Sequence, residues 1–481
     1  MTWEVRVLPD RYADSVRLMG IAGQLRGRDG VERCEVFMGT PANLAALRDL
    51  GGAADAGPGD VVIAATGSGA GEALGEAERL LGAADAPAAG GGAQQARAPR
   101  TLPGAARALG DRASLALVSV PGEYATLEAH RALTLGLHVL LFSDHVELSD
   151  EIALKRRADG RGLLLMGPEC GTAMLAGIGL GFMNVVPRGR VGIVAAAGTG
   201  AQEAACLVAD AGAGVSHVVG VGGRDLSREV GGLMFRRGIE LLAGDEGTDT
   251  LLLVSKPGDP GVVRGLAAHL PEGKRVVACF VGLREPAGLP FEAHDTLDAA
   301  ARSAAGGAGL PDVAALEREV DTAEVGGRVI GLFSGGTLAH EARSILEPVL
   351  GEIAGDPEAE GHAIVDLGDG RYTQGRPHPM VDPSLRVSMV EEAARDGRTG
   401  CVLLDVVLGH ASHADPASAL ADAVERVAGR GLVVARVCGT AGDPQDARRQ
   451  TAVLRDAGAI VAPSNAAAAR LVARAVTRVA A

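Results

Sequence analysis

The sequence predicts an α/β protein with parallel sheets, on three observations. From Leu115 onward, short apolar runs alternate with stretches of helical spacing, the rhythm of strands joined by crossover helices. Hydrophobic residues make up 47% of the chain and charged residues 22%, so a sizeable core can be buried. Aromatic residues are only 2%, which leaves Ala, Gly, Val and Leu to build a core of closely approaching strands and helices. For 481 residues, the usual ~150 residues per domain gives roughly three domains.

Residues 1–50 carry a short strand signal, a helix-like stretch from Asp14 to Leu25, and the run Val31–Met38. That run leads into Gly39-Thr40-Pro41-Ala42-Asn43, a turn that opens a helix. Residues 51–110 carry little signal, and 81–100, nearly all Ala, Gly, Pro and Gln, reads as a flexible surface segment. The rhythm then gives strands at Leu115–Val120, His138–Phe142 and Leu163–Met166, with helices at Thr126–Leu135 and Ser149–Asp159 between them. Further strands are expected at Val191–Val194, Val215–Gly220, Thr250–Val254 and Arg275–Val281. Pro286–Asp321 reads as an Ala/Gly-rich linker with a helix at Thr296–Ala304. The last strands are Val329–Phe333, His362–Leu367, Cys401–Leu408, Leu432–Val437 and Ile460–Val461. In doubly wound sheets ligands sit beyond the C-terminal strand ends, so the chemistry is sought in the turns there.

Two such turns repeat. One reads Gly198-Thr199-Gly200-Ala201-Gln202-Glu203-Ala204 and the other Gly336-Thr337-Leu338-Ala339-His340-Glu341-Ala342, the second preceded by Gly335. Each follows an apolar strand and opens a helix, which puts unpaired backbone N–H groups and the positive helix end at one spot. That is a seat for a phosphate or carboxylate. The alternative is a tight strand-to-helix turn with Thr as its cap; the duplication speaks for the anion.

Composition excludes several function classes. A net charge of −14 and few aromatics argue against nucleic acid as a partner. The six cysteines, Cys34, Cys170, Cys206, Cys279, Cys401 and Cys438, form no C-x-x-C pair, so neither a disulfide framework nor a metal site is read. The opening Met1-Thr2-Trp3-Glu4-Val5-Arg6 lacks an apolar signal core, and no run reaches the ~18 apolar residues of a membrane span. A soluble, cytoplasmic protein acting on a small anion is the expectation.

At Gly167–Thr172, Val191–Ala204 and Val219–Asp225 the chain resembles the α subunit of succinyl-CoA synthetases: a Gly-Pro-x-Cys turn, a Val-Gly-Ile-Val strand with a Gly-Thr helix start, and a Val-Gly-x-Gly-Gly turn. Ser119–Ala125 looks like that family's coenzyme A-binding strand end, and the segment around Leu403–Gly409 is similar to the C-terminal domain of the β subunit. The β subunit's ATP-grasp domain has no counterpart. The motifs Met38–Asn43, Gly222–Gly232 and Gly375–Pro383 look like the FdrA family, over almost the whole chain. FdrA proteins are labelled acyl-CoA synthetases, and some are implicated as a component of oxamate carbamoyltransferase in allantoin catabolism.

The resemblance implies a CoA-binding-like Rossmann unit followed by two flavodoxin-like, succinyl-CoA synthetase-like domains. The expected boundaries are 1–110 for the N-terminal segment, then 111–187, 188–320 and 326–481. It implies a CoA-like site at Pro121, Gly122, Gly167 and Pro168, and CoA, phosphate or carbamoyl phosphate as ligands, with no covalently bound cofactor. Either a homo-oligomer or a complex with operon-encoded subunits follows from it. Two departures bear on chemistry. Where the synthetases carry a phosphorylated histidine in Gly-His-Ala-Gly, this chain has Glu292-Ala293-His294-Asp295. Where they carry the glutamate that orients it, this chain has Val254-Ser255-Lys256-Pro257. A histidine relay is therefore not expected, while a paired anion site survives.

The remaining candidates each have a plain alternative. Arg224, after Gly222-Gly223, clamps a carboxylate or forms a surface ion pair. Lys256 neutralises a bound anion or is a solvated lysine. Arg371, Arg376 and His378 face substrate, with His378 moving a proton, or belong to a rigid loop pinned by prolines. Asp405, inside an apolar strand, must have partners; it contacts substrate or ties neighbouring elements together. His294 reads as a helix-start residue, and Cys170 as packing. The leading function is an enzyme of the synthetase-like superfamily handling a phosphate-activated acyl or carbamoyl group; the others are an acyl-CoA synthetase subunit and a non-catalytic CoA sensor or scaffold.

Overall fold

The computed structural model of the chain describes residues 2–11, 13, 15–26, 28–83, 99–282, 289, 291–307, 313–323, 325–373 and 377–480. The chain is α/β, and it divides into two compact units. The first joins residues 1–99 to 370–382, and the second comprises 100–369 and 383–481.

The first unit is built from β1 (Glu4–Leu8), α1 (Ser15–Arg26), β2 (Arg33–Met38), α2 (Pro41–Asp49), β3 (Val61–Thr66) and α3 (Ala70–Ala83). Its sheet is antiparallel, in the order β1-β3-β2. The central β3 is buried along its whole length because both faces are covered. Val61, Ile63 and Ala65 meet Leu18, Leu25, Leu74 and Ala77 of α1 and α3, while Val62 and Ala64 meet Leu47 of α2. Alternate residues point to opposite faces, so a strand buried on both sides reads as a continuous apolar run rather than an alternating one. Thr40 caps α2 by accepting from the Asn43 N–H, with Pro41 at the first helical position.

The second unit carries three sheets. After α4 (Leu102–Leu109), the strands β4 (Leu115–Val118), β5 (His138–Leu141) and β6 (Leu165–Met166) pair in parallel, with α5 (Gly122–Thr134) and α6 (Leu148–Gly160) as crossovers. The hairpin β7 (Thr172–Leu175) and β8 (Ile178–Gly181) forms one edge of the next sheet. Its other strands are β9 (Arg188–Ala196), β10 (Val215–Gly220), β11 (Thr250–Ser255), β12 (Arg275–Phe280) and β13 (Glu292–His294). The order is β13-β12-β11-β9-β10-β7-β8, parallel from β13 to β10. Helices α7 (Gly198–Asp210), α8 (Leu233–Gly244), α9 (Pro260–Gly265), α10 (Leu297–Ala304) and α11 (Ala314–Asp321) accompany it.

The third sheet is wholly parallel, in the order β15-β14-β16-β17-β18. Its strands are β14 (Arg328–Phe333), β15 (Ala363–Asp366), β16 (Thr399–Val407), β17 (Leu432–Cys438) and β18 (Ile460–Ala462). Between and after them run α12 (Gly336–Leu350), α14 (Ser384–Arg395), α15 (Pro416–Ala428), α16 (Ala447–Asp456) and α17 (Asn465–Ala480). The short α13 (Gly370–Thr373) belongs to the first unit. Among the described residues no helix is long and apolar enough to cross a membrane.

Two expectations about low-information stretches change. Residues 51–110 hold β3, α3 and α4, and the expected linker Pro286–Asp321 supplies an edge strand and two helices. Ala and Gly there serve packing: Ala300, Ala301 and Ala304 of α10 are buried, which lets the helix lie close on its neighbours. Most of the segment 81–100, read as flexible, lies outside the described residues.

Candidate active site at the paired Gly-Thr turns

The two repeated turns follow β9 and β14 and open α7 and α12, and they face each other. A methyl built on Gly200 would lie 2.7 Å from the Thr337 methyl, and one built on Gly335 would overlap the Thr199 side chain. The glycines therefore admit the threonines, and the two threonines fill the seam between the helix starts. Neither threonine caps a helix. The N-cap positions are Ala197 (φ −161°) and Gly335 (φ −138°), and no side chain bonds the first N–H groups of either helix. The capping alternative thus falls away, and the helix ends keep their positive potential toward the rim, where Gly198 is exposed and Gly336 half-buried.

Charged groups gather at the α12 rim. A methyl on Gly336 would lie 2.9 Å from Lys256 Nζ and would overlap the Asp366 carboxylate. Lys256, just past the end of β11, is exposed, and among the described residues it makes no ion pair. Asp366, at the end of β15, has its carboxyl pushed up by burial, with Lys256 and the Gly368 N–H (3.0 Å) acting against that. One turn into α12, His340 has its pKa lowered, first by burial and then by the Lys256 ammonium. At neutral pH its imidazole is neutral and able to take or give a proton.

Behind the seam the repeat continues. Glu203 and Glu341 stand at the same place in the two turns, both fully buried, and Asn465 at the start of α17 bridges them. Its N–H donates to Glu203 Oε1 at 3.0 Å, and its amide donates to Glu341 Oε2 at 2.8 Å and to the Leu338 carbonyl at 3.0 Å. Arg436 Nε donates to both Glu203 oxygens at 3.0 Å, and the Leu297 N–H donates to Glu341 Oε1 at 2.7 Å. Glu203 has a cation; Glu341 has only neutral donors, and burial pushes its pKa up to about 8. A raised acid keeps its proton in the folded state, so unfolding free energy should fall as pH rises from the unfolded carboxyl value of 4.5 toward 8. Glu341→Gln removes that titration. Melting curves at pH 5, 6, 7 and 8 should show the variant's Tm declining less steeply than that of the wild type; parallel curves would refute the assignment.

The other sequence candidates are placed as follows. Arg224 lies 2.7 Å from Glu151 Oε2 as an ion pair without hydrogen-bond alignment, and donates to the Val146 carbonyl at 2.9 Å. Glu151 also accepts from the buried Lys155 at 2.8 Å, which bonds Asp225 at 2.8 Å in turn. Asp225 accepts from the Phe235 N–H at 2.8 Å and so holds the start of α8. Arg224 is thus engaged within the fold. Gly222 (φ +87°) packs on the turn Gly167-Pro168, where a methyl would meet the Pro168 carbonyl at 2.7 Å; Gly122 packs on the Asp144–His145 backbone. The Gly167-Pro168 peptide is cis. Cys170 is buried, its thiol pushed up to about 12 by burial, and its S–H reaches the Thr172 and Gly220 carbonyls at 3.4 Å, in keeping with packing.

Asp405, fully buried in β16, accepts from the Ser334 N–H and hydroxyl at 2.8 Å each and from Arg386 at 2.8 Å. Arg371 and His378 belong to the first unit, where the Arg371 guanidinium lies 5.5 Å from the Tyr372 ring centroid and His378 Nδ1 accepts from the Met380 N–H at 3.3 Å. Arg376 lies outside the described residues. His294 closes β13 rather than starting a helix, 2.9 Å from Glu292. It lines a hollow of about 410 Å³ with Arg275, Arg302 and Ser303, a place that holds none of the predicted site residues.

Comparison with known proteins gives the chain's relatives. The chain is 37% identical to the uncharacterized protein YahF of Escherichia coli (strain K12), over 97% of each chain. The chain belongs to the YahF family. Within this member of the family, residues 332–475 match the CoA-ligase family, and residues 1–99 match a family described as AllF, heavy metal-associated domain. The succinate–CoA ligase [ADP-forming] subunit alpha-2 of Trichomonas vaginalis is 30% identical over 37% of this chain and 58% of its own length. The corresponding α subunit of Methanothermobacter thermautotrophicus is 29% identical over 36% of this chain and 58% of its own. The chain therefore spans just over half the length of these ligase subunits. The kinship with succinyl-CoA synthetase-like CoA ligases is an enzyme kinship.

Proposed function

We propose that the protein is an enzyme acting on a phosphate-activated acyl or carbamoyl group, with the phosphate on the uncapped start of α12 and Lys256 as its counter-charge. The observation that carries the reading is the Lys256 ammonium beside Gly336, at a helix end with no cap, with Asp366 as its acidic neighbour but no ion pair made by the lysine among the described residues. Because Thr199 and Thr337 fill the seam, the anion is placed at its rim rather than between the turns. The helix end and the cation stabilise negative charge as it develops on the transferring group. His340 is the group proposed to exchange a proton there.

In the carbamoyl version, matching the FdrA resemblance, the substrates are oxalurate and phosphate. A phosphate oxygen attacks the carbamoyl carbon, the carbon–nitrogen bond breaks, and the nitrogen takes a proton to leave as oxamate; carbamoyl phosphate is the other product. No covalent enzyme intermediate is needed, and partner subunits are part of the reading. The test is to mix the purified protein and its operon partners with oxalurate and phosphate and assay carbamoyl phosphate. A second reading, an acyl-CoA synthetase subunit using CoA at Pro121-Gly122 and Gly167-Pro168, is supported by the match of residues 332–475 to CoA ligases. Absence of carbamoyl phosphate, alongside ATP-driven formation of an acyl-CoA, would replace the first reading with the second.

Thr199→Val and Thr337→Val keep a methyl against the facing glycine and lose only the hydroxyl. Each should leave the melting temperature close to that of the wild type and weaken phosphate binding several-fold, about 1 kcal/mol for one hydrogen bond. Calorimetric titration with phosphate measures it, and unchanged affinity in both variants would show that neither hydroxyl reaches the anion and leave the rim seat to the α12 backbone and Lys256.

A further inference from the structure

The likeness of residues 1–99 to a heavy metal-associated family implies a metal, and the donor set does not fit one. Heavy metals on small folds are held by soft donors, thiolates above all, brought together at one place. Residues 1–99 contain a single cysteine, Cys34, and no histidine. Cys34 sits inside the core between β2 and the helices, beside Leu25, Val36 and Ile63, and burial pushes its thiol up to about 11. A buried, protonated thiol with no second soft ligand is an apolar packing group. Among the described residues no group of three or more His, Cys, Asp or Glu side chains could hold an ion.

What the unit holds instead is a piece of its own chain, residues 370–382. The pin is Arg26, the last residue of α1. Its Nε donates to the Cys34 carbonyl at 2.9 Å, its Nη2 to Glu35 Oε2 at 2.8 Å, and its Nη1 to the Asp382 carboxylate. The Arg26 and Asp382 side chains are only 23% and 12% exposed, so the pair is shielded from water. One planar guanidinium thus fixes two carboxylates and a carbonyl from two distant places in the sequence, which a lysine could not do. The effect reaches Glu35: burial raises its pKa, Arg26 pulls it down and Asp382 pushes it up again. In the sequence, 370–382 follows β15 and precedes α14, and it opens with the short helix α13.

We propose that residues 1–99 form an intramolecular peptide clamp with no heavy-metal site, and that Arg26 pins the 370–382 segment through Asp382. The clamp does not depend on which reaction the enzyme catalyses, and neither do its two tests. In the first, the full chain is equilibrated with Zn²⁺, or with Cu⁺ under reductant, then desalted and its metal content measured. Well under one equivalent per chain is expected; a stoichiometric metal lost in Cys34→Ser would overturn the proposal. In the second, hydrogen exchange is followed by mass spectrometry in Asp382→Ala, which leaves the Arg26–Glu35 pair in place. Exchange in 370–373 and 377–382 should speed up about tenfold or more, that of β1 to β3 should hold, and Asp382→Glu should restore protection. Unchanged exchange of the segment in Asp382→Ala would remove Arg26 as its pin.

Discussion

Lys256→Met should lower turnover by ~10²–10³-fold with little change in melting temperature, because the loss of one preorganised donor at a developing anion has about that effect. Lys256 is exposed and supports no ion pair among the described residues, so the fold gives up little when its charge is removed. What goes is the cation beside Gly336 at an uncapped helix start. Lys256→Arg keeps the charge but spreads it over a larger planar group, and should retain partial activity. Two further readouts separate lost electrostatics from altered shape. The Lys256 ammonium holds the His340 pKa down, so that pKa should rise in Lys256→Met; it also opposes the burial that raises Asp366, so the Asp366 pKa should rise further. Imidazole shifts followed by NMR across pH 4 to 8 test the first. Turnover within twofold of the wild type in Lys256→Met would remove the lysine from the reaction.

The α/β class was legible because parallel strands buried on both faces leave unbroken apolar runs, as in β9, β11 and β14. The Gly-Thr turns were legible for a related reason: a strand that feeds a helix start leaves a fixed local signature, and it occurs twice. Partner choice was not legible. Nothing local says that Arg224 lies against Glu151, since 73 positions separate them (224 − 151). Asp366 gives no signal at the end of its strand until the fold brings it against Gly336. Glu203, His340 and Glu341 could have been found, because they lie inside the repeated heptapeptides and two of them are the same residue at the same place. Of the Ala-rich helices, α10 was legible but α3, α4 and α11 were missed, because small residues weaken the helical period while being what close packing requires.

Asp405→Ala should be the most damaging single change for stability, at about 3–5 kcal/mol, and it separates the two roles that this residue's position in an apolar strand allows. The carboxylate sits in the middle of the third sheet, paired with Arg386, whose side chain is fully buried. Burial pushes Asp405 up and Arg386 down from their ordinary values, and their mutual attraction is what opposes both shifts. Removing one partner leaves the other charge in the core with no counter-ion, which costs more than the pair's net contribution. It also frees the Ser334 N–H and hydroxyl that fix the end of β14, immediately before the Gly335-Gly336 turn. Activity should therefore fall along with stability in Asp405→Ala. The double replacement Asp405→Leu with Arg386→Met removes both charges and should recover most of the lost stability in urea unfolding. If the double variant refolds stably and regains phosphate binding, Asp405 is a tie between β14, β16 and α14; if it is stable but binds no phosphate, the carboxylate itself serves the site. Urea midpoints that fall as far in the double variant as in Asp405→Ala would show that the ion pair is not what holds these three elements together.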